Sequence, residues 1–363
     1  MTILFRYILR EYAKIFFMCF SGLLTIYLVI DFFEKVRRFL RYDVSVLPLL
    51  SYFALKIPAI SFQIAPLAIL MATLLTLGLL SRSNEITAMR SCGISLPWIS
   101  SPFLVFASGV ALVLLWFSST IIPIASEQAE RIRLLQIEKK TIPLTVKAPQ
   151  PWTRIGADAL MQIKEVDLGG ETIRGVRLFH FDRAFRLDRM TEAAEGHFSS
   201  GGWVLLHGNQ RRFHRDNTVD VASFIEQAVN LPLIPDDFAT SLAGDSETMT
   251  FREIRGYVNR FRGEGFSFTR LLTDYYGRLA FPFVTIIMVL VGIALSLQRS
   301  GVRGGSMAMG IGQAFIVGFC YWTTHSIAIA LGRGGVLTPM LAGWMANLLF
   351  ASFGLYLLLK VRY

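Results

Sequence analysis

The chain has 363 residues, 53% of them hydrophobic and only 17% charged, with a mean hydropathy of +0.50. Soluble domains carry about 25% charged residues, so this composition excludes a disordered chain and argues against a purely soluble enzyme. The net charge of +10 does not point to nucleic acid, because of where it sits. From Ala125 to Arg270 the chain holds 20 Lys+Arg and 20 Asp+Glu and is neutral. The remainder holds 16 basic and 6 acidic residues, and there the basic residues flank apolar runs, the pattern of a membrane protein. Cys19 and Cys320 lie inside apolar runs and Cys92 in a short connection, so neither a disulfide nor a cysteine-based metal site is expected.

About 20 apolar residues in a helix cross the hydrocarbon core, and six segments qualify, each with almost no charge inside. The first, about 14–33, follows Arg6, Arg10 and Lys14 and has no A-x-A-like cleavage site after it, so it reads as a retained span. Lys35, Arg37, Arg38 and Arg41 follow it. The second span covers about 57–80 and the third about 97–124. The connection between them, Ser81 to Gly93, reads as a short helix: Ser83 or Asn84 caps its start, Glu85 suits the helix dipole, and Gly93 ends it. Ile86 and Met89 share a face. Such a helix could dock a partner or form a plain interfacial turn.

Residues of roughly 141–245 read as β. Polar and apolar residues alternate in Ala159 to Val166, Thr172 to Phe181 and Trp203 to His207, with Gly169-Gly170 and Gly201-Gly202 as turns. Several short strands in about 100 residues suggest a small sandwich or jelly roll whose edges could accept another chain. Met249 to Phe261 has helical spacing of Phe251, Ile254, Val258 and Phe261. It suits either an interfacial helix or a connector packed on the β domain. Spans four to six follow at about 279–297, 306–331 and 336–359. Span five carries Gly304, Gly305, Gly310, Gly312 and Gly318, a pattern that fits a sliding gate or static close packing equally.

Lysine and arginine in short loops set orientation. With the N-terminus inside, Arg6, Arg10, Lys14, Arg82, Arg90, Arg299, Arg303, Lys360 and Arg362 are cytoplasmic, and the β region is outside. The Lys35 to Arg41 cluster then breaks the rule on the outer side. It either meets an anionic ligand at the outer leaflet or snorkels to lipid phosphates.

Motifs for enzymatic chemistry are missing from the sequence. It has no G-x-x-x-x-G-K-[ST], H-E-x-x-H or G-x-S-x-G, so no catalytic residue, bound cofactor or metal is expected. His180, His197, His207 and His214 lack ligand spacing and read as surface or packing residues. His325 lies within span five, where an ionisable group is a functional candidate by default, but a neutral ring bonded to a neighbouring helix is the simpler expectation. Asp31 and Asp274 lie near span ends and read as solvated.

Taken in order, several strings resemble the LptF/LptG permeases of the lipopolysaccharide exporter. They are Arg6-Tyr7-Ile8, Pro66-Leu67-Ala68-Ile69-Leu70, the Ser83 to Gly93 connection, Glu127-Gln128, Gly202-Trp203-Val204-Leu205 and Met249 to Phe261, and they cover essentially the whole chain. The resemblance implies an α-helical membrane protein with six transmembrane helices split 3+3 around a periplasmic all-β jellyroll-like domain. The expected domains are 1–135, 136–250 and 251–363. It further implies a Gram-negative inner-membrane chain with both termini cytoplasmic, one subunit of an F/G heterodimer, G-type favoured. Two copies of a cytoplasmic ABC ATPase, which alone would use ATP, a periplasmic bridge protein and a single-span regulatory subunit complete the implied assembly. Asn84, Glu85, Ile86, Met89 and Arg90 would form the ATPase coupling helix. Lys35, Arg37, Arg38 and Arg41, with Arg131 and Arg133 after span three, would hold lipopolysaccharide phosphates, and a further family cation falls at Asp31. Gly305, Gly310 and Gly312 would serve a lateral gate, and the lipid would leave along an apolar groove of the β domain. The competing expectations are an ABC permease for another lipid or lipoprotein, and a membrane scaffold or sensor with an external β domain.

Overall fold

The computed structural model describes residues 2–39, 46–133, 137, 145–147, 152–155, 158–167, 171–182, 185–199, 202–214, 218–229, 249–260, 268–298 and 307–360. The chain divides into a helical unit, 1–133 with 269–363, and a second unit, 134–268. The helix that precedes span four falls in the second unit.

The helical unit is built from α1 (Thr2–Phe39), α2 (Val46–Arg82), the short α3 (Glu85–Ser91), α4 (Leu96–Trp116), α5 (Ile122–Ile132), α7 (Thr269–Ala280), α8 (Val284–Gln298), α9 (Met307–Arg333) and α10 (Pro339–Lys360). Six stretches are long and apolar enough to cross a membrane, and two of them are composite: α4 continues into α5, and α7 into α8. These are the six expected spans, extended at their ends by amphipathic turns. The span windows of α2 and α8 are 72% and 67% buried, those of α1 and α9 only 17% each. Hence α2 and α8 form the centre, and α1 and α9 keep a broad apolar face uncovered.

Several polar groups in this core are paired, which offsets the cost of burying them in an apolar medium. Tyr12 of α1 packs on Phe103 and Phe106 of α4 at 4.6 and 5.1 Å, and its hydroxyl meets Thr73 Oγ1 of α2 at 3.1 Å. The join of α7 and α8 is a 3₁₀ turn, Phe281–Phe283, around Pro282. There the Val284 N–H turns to the Phe281 carbonyl. Asn347 Nδ2 also donates to the Ala280 carbonyl at 2.7 Å, and Asn347 Oδ1 accepts from Tyr321 at 2.8 Å. One asparagine thus ties α7, α9 and α10.

The start of α7 and the end of α9 are joined by Asp274 and Arg333, whose Nε donates to Oδ1 at 2.7 Å. Asp274 is buried, a correction to its solvated reading. Asp274→Ala leaves a guanidinium facing an apolar gap. The expected loss is about 1–3 kcal/mol, below that of a fully buried pair because Arg333 is half exposed. A thermal-shift assay in detergent should show it, and Arg333→Gln on the same chain should recover a fraction of it.

The second unit is all-antiparallel β with one helix. Its strands are β1 (Thr145–Lys147), β2 (Trp152–Ile155), β3 (Ala159–Gln162), β4 (Glu165–Asp167), β5 (Thr172–Phe181), β6 (Leu187–Ser199), β7 (Gly202–Phe213) and β8 (Val219–Val229). They form one eight-stranded sheet in which β5 to β8 pair in chain order, while β3 and β4 share the other edge of β5 and carry β2 and β1. Among the described strands no Greek-key crossover occurs.

The inward positions change parity midway. On β5 they are Ile173, then Val176 and Leu178; on β7 they are Trp203 and Leu205, then Gly208. Gly175 and His207 both have positive φ at this line, which lets two successive residues depart from strict alternation and bends the sheet. The bend closes the inner face tightly. Met161, Ile173, Val176, Trp203 and Leu205 are all fully buried, so the apolar face expected as an open groove is filled. A Cβ on Gly208 would lie 2.3 Å from Phe224 Cζ and 2.4 Å from the Glu192 carbonyl oxygen. Helix α6 (Phe251–Arg260) starts with a capping box: Thr250 N–H donates to Glu253 Oε2 at 2.8 Å, and Glu253 N–H to Thr250 Oγ1 at 3.3 Å. Ile254 and Val258 are its buried residues.

Candidate functional site

Two groups of polar residues lie at opposite ends of α1. Helix α1 runs from Tyr7 beside α3 to Lys35, 28 residues and about 42 Å along the axis.

At the first end, α3 protrudes between α2 and α4. Asn84 precedes it in the left-handed conformation, φ 59°, one that asparagine tolerates better than most residues. It therefore ends α2 and redirects the chain rather than capping α3 with its side chain. Ser83 Oγ donates to Glu85 Oε1 at 2.8 Å, and the Tyr7 hydroxyl also reaches the Glu85 carboxylate. Ile86 and Met89 share a face, but that face points inward: Met89 is 7% exposed within the helical core, and Ile86 packs against the same core. Met89 is thereby withdrawn from any docking surface. The exposed face consists of Asn84, Thr87, Ala88, Arg90 and Ser91, with Glu85 at its edge.

At the other end, the tops of α1, α2 and α5 converge. Lys35 pairs with Asp31 one turn earlier, and Asp31 is 8% exposed, which corrects its solvated reading. Arg133 pairs with Glu130 at 2.9 Å and Arg131 with Glu127 at 3.1 Å. Tyr52 of α2 lies within electrostatic reach of Lys35, Asp31, Arg133 and Glu130 together. Lys56 Nζ sits 5.2 Å from the centre of the Tyr52 ring, a cation–π contact. Lys35 and Arg133, 98 residues apart, thus lie in the electrostatic surroundings of one tyrosine. Arg131, 72% exposed at its side chain, has only its i,i+4 ion pair among the described residues. Arg37 and Arg38 lie in the last turns of α1; their side chains and Arg41 are outside the described residues.

Sequence reading missed Tyr52, Lys56 and Glu130, and took Asp31 as solvated. Lys56 was detectable: α2 begins at Val46, well before the expected span, and a lysine that deep in a long apolar helix is a functional signal. The carboxylates were not, since the pairing depends on which helices meet.

The span-five glycines separate by environment. Gly310 has only Leu74 Cβ nearby, at 3.9 Å from a built Cβ, and Gly312 has nothing within 4 Å; Gly305 is outside the described residues. Close approach occurs instead at Gly318, Gly332 and Gly343. His325 is caged by Phe281, Tyr321 and Trp322 at 5.6, 6.0 and 6.2 Å. Its buried Nδ1 has no hydrogen-bond partner among the described residues, so packing holds the ring rather than the expected bond to a neighbouring helix.

This arrangement has relatives. A 360-residue match pairs the chain with the lipopolysaccharide export system permease protein LptG of Escherichia coli K12 at 19% identity, over 99% of this chain and 98% of that one. The LptG of Haemophilus influenzae is 22% identical over 98% of both chains. The LptF of E. coli K12 is 32% identical, but over 115 residues, 31% of this chain. A family profile described as lipopolysaccharide export system permease LptF/LptG matches residues 6–360. With six spans divided three and three along the chain by a β unit and this match over nearly its whole length, the chain belongs to the LptF/LptG family of lipopolysaccharide export permeases.

Proposed function

We propose that this chain is the G-type permease subunit, and that it takes lipopolysaccharide from the outer leaflet of the inner membrane with its phosphates at the Lys35–Tyr52–Arg133 cluster. The G-type assignment is supported by the full-length likeness to LptG proteins against a partial one to LptF. The observation that carries the site is the convergence of Lys35, Lys56 and Arg133 from three helices around Tyr52. Phosphate oxygens accept charge-assisted hydrogen bonds from such groups, while acyl chains suit the exposed apolar faces of α1 and α9. Phe17, Ile26, Ile30 and Phe33 of α1 and Phe315, Ile316 and Phe319 of α9 stand exposed. The sister F-type permease covers some of this apolar surface and encloses a cavity with it. A bridge protein takes the lipid onward from the β unit.

ATP hydrolysis belongs to a separate cytoplasmic ATPase seated on the exposed face of α3. Because Ile86 and Met89 are rooted in the helical core, a push on α3 moves α2 and α4 as a body. Glu85→Lys reverses the charge offered to the ATPase without touching that core. Co-purification of the ATPase with the permease pair should fall at least tenfold, and full retention would remove α3 as the docking helix.

The site is tested by co-expressing this chain with its sister permease and ATPase and placing a photo-crosslinking residue at Lys56. A lipopolysaccharide adduct that fades on ATP turnover is expected. A complex that turns over ATP but crosslinks only phospholipid would overturn the assignment.

A further inference from the structure

Span three does not run straight into the headgroup cluster. Between α4 and α5 lie five residues of π-helix, Phe117–Ile121, and the cause is legible two positions later. Pro123 has no N–H, and its ring crowds the carbonyl four residues back, that of Ser119. The helix widens, and the Ile122 N–H donates to Phe117 O, five residues back. The Ser118 carbonyl then has no backbone donor left. Its α-helical partner, Ile122, is engaged elsewhere, and its π-helical partner would be the nitrogen of Pro123. The carbonyl is deep in the helical unit, with Ser118 1% exposed. Arg278 of α7 fills the gap: its Nη2 donates to Ser118 O at 2.5 Å, across 160 residues of sequence.

A π-bulge adds one residue to a helix, and so turns everything after it by about 100°. The residues turned in this way are those of α5, with Arg133 just past its end. Helix α5 packs on α2 with Ile122, Ala125 and Ala129 buried, and that turn sets where the Glu130–Arg133 pair stands on it. We propose that Arg278 is a positioning residue of the headgroup site: by satisfying the carbonyl that Pro123 orphans, it holds the bulge that aims Glu130 and Arg133 into the cluster. The value of this facing to export rests on the headgroup reading above; the facing itself does not.

A thiol pair reads the facing directly. In a chain carrying Cys19→Ala, Cys92→Ser and Cys320→Ala, Tyr52→Cys and Glu130→Cys are joined by a short bifunctional thiol reagent in native membranes, within the full permease–ATPase complex. Arg278→Ala should lower the yield at least fivefold, and also the lipopolysaccharide adduct at Lys56. The deciding measurement is rescue. Arg278→Lys keeps a donor for Ser118 O and should regain most of the yield, whereas Arg278→Met, which fills the space without a donor, should not. Equal yields in the two would leave Arg278 as packing alone. Deleting Ser119 removes the extra residue together with the bulge and leaves α5 facing as before, so the link should persist in Arg278→Ala carrying that deletion. An undiminished link in Arg278→Ala, or no recovery when Ser119 is deleted from it, overturns the proposal. A lost link with normal lipopolysaccharide adducts upholds the positioning and instead removes Arg133 from the headgroup site.

Discussion

Gly343→Leu is expected to eliminate the folded chain from the membrane, the largest single effect in the helical unit. A Cβ at Gly343 would stand 2.7 Å from the Tyr276 carbonyl carbon and 2.9 Å from the Gly277 nitrogen. These are backbone atoms of α7, so no rotamer change relieves the overlap. Opposite, Gly332 of α9 would put a Cβ 2.4 Å from Ala342 Cβ, which closes the other side of α10. The helices here touch backbone to backbone, the arrangement that small residues permit in membranes. Overpacking a core that can repack costs about 1–3 kcal/mol; one that must push a pair of helices apart and stretch the Asn347 bond to Ala280 O costs more. Membrane-fraction yield should fall more than tenfold, and detergent extraction should give aggregate. Gly312→Leu is the control. Nothing lies within 4 Å of its Cβ, so the chain should fold normally, and any defect would appear in assembly with a partner. Equal yields of the two variants would contradict the packing described.

Legibility followed the range of the interaction involved. Span number came through because a run of about 20 apolar residues has one outcome in lipid. Strand β5 was readable at both ends because Thr172 to Phe181 alternates over most of its length. The parity change at Gly175 and His207 was not readable, since alternation alone does not report a bend. Ile86 and Met89 were correctly placed on one face, but a helix's apolar face can point to its own bundle or to a partner, and periodicity does not distinguish them. Lys35 and Arg133 were legible as cations. Their attachment to Asp31 and Glu130, and the meeting at Tyr52, depend on how α1, α2 and α5 pack. Pro123 stood in plain view inside span three. Its consequence needed the partner at position 278, and no local rule pairs residues 160 apart.

The pairing of Lys35 and Arg133 with carboxylates decides the sign of the second large effect. A single alanine at either cation removes one charge and also releases its carboxylate, so adjacent negative charge then faces an incoming phosphate. At 4 Å and an effective dielectric constant near 20, one such charge pair is worth about 4 kcal/mol before desolvation; exposed cations keep only a fraction of that. Lys35→Glu with Arg133→Glu replaces both attractions by repulsions. The lipopolysaccharide adduct at Lys56 should fall more than 30-fold, about 2 kcal/mol, while ATP turnover by the complex persists. Asp31→Asn discriminates between roles. It breaks the Lys35 pair, which would weaken a merely structural latch. A headgroup site would gain instead, because the ammonium is freed for phosphate. The adduct should therefore rise in Asp31→Asn, and the rise should shrink as ionic strength goes from about 0.05 to about 0.5 M, where screening shortens to a few ångströms. A fall in Asp31→Asn, together with an unchanged adduct in the double reversal, would show that these charges hold helices together and never meet the lipid.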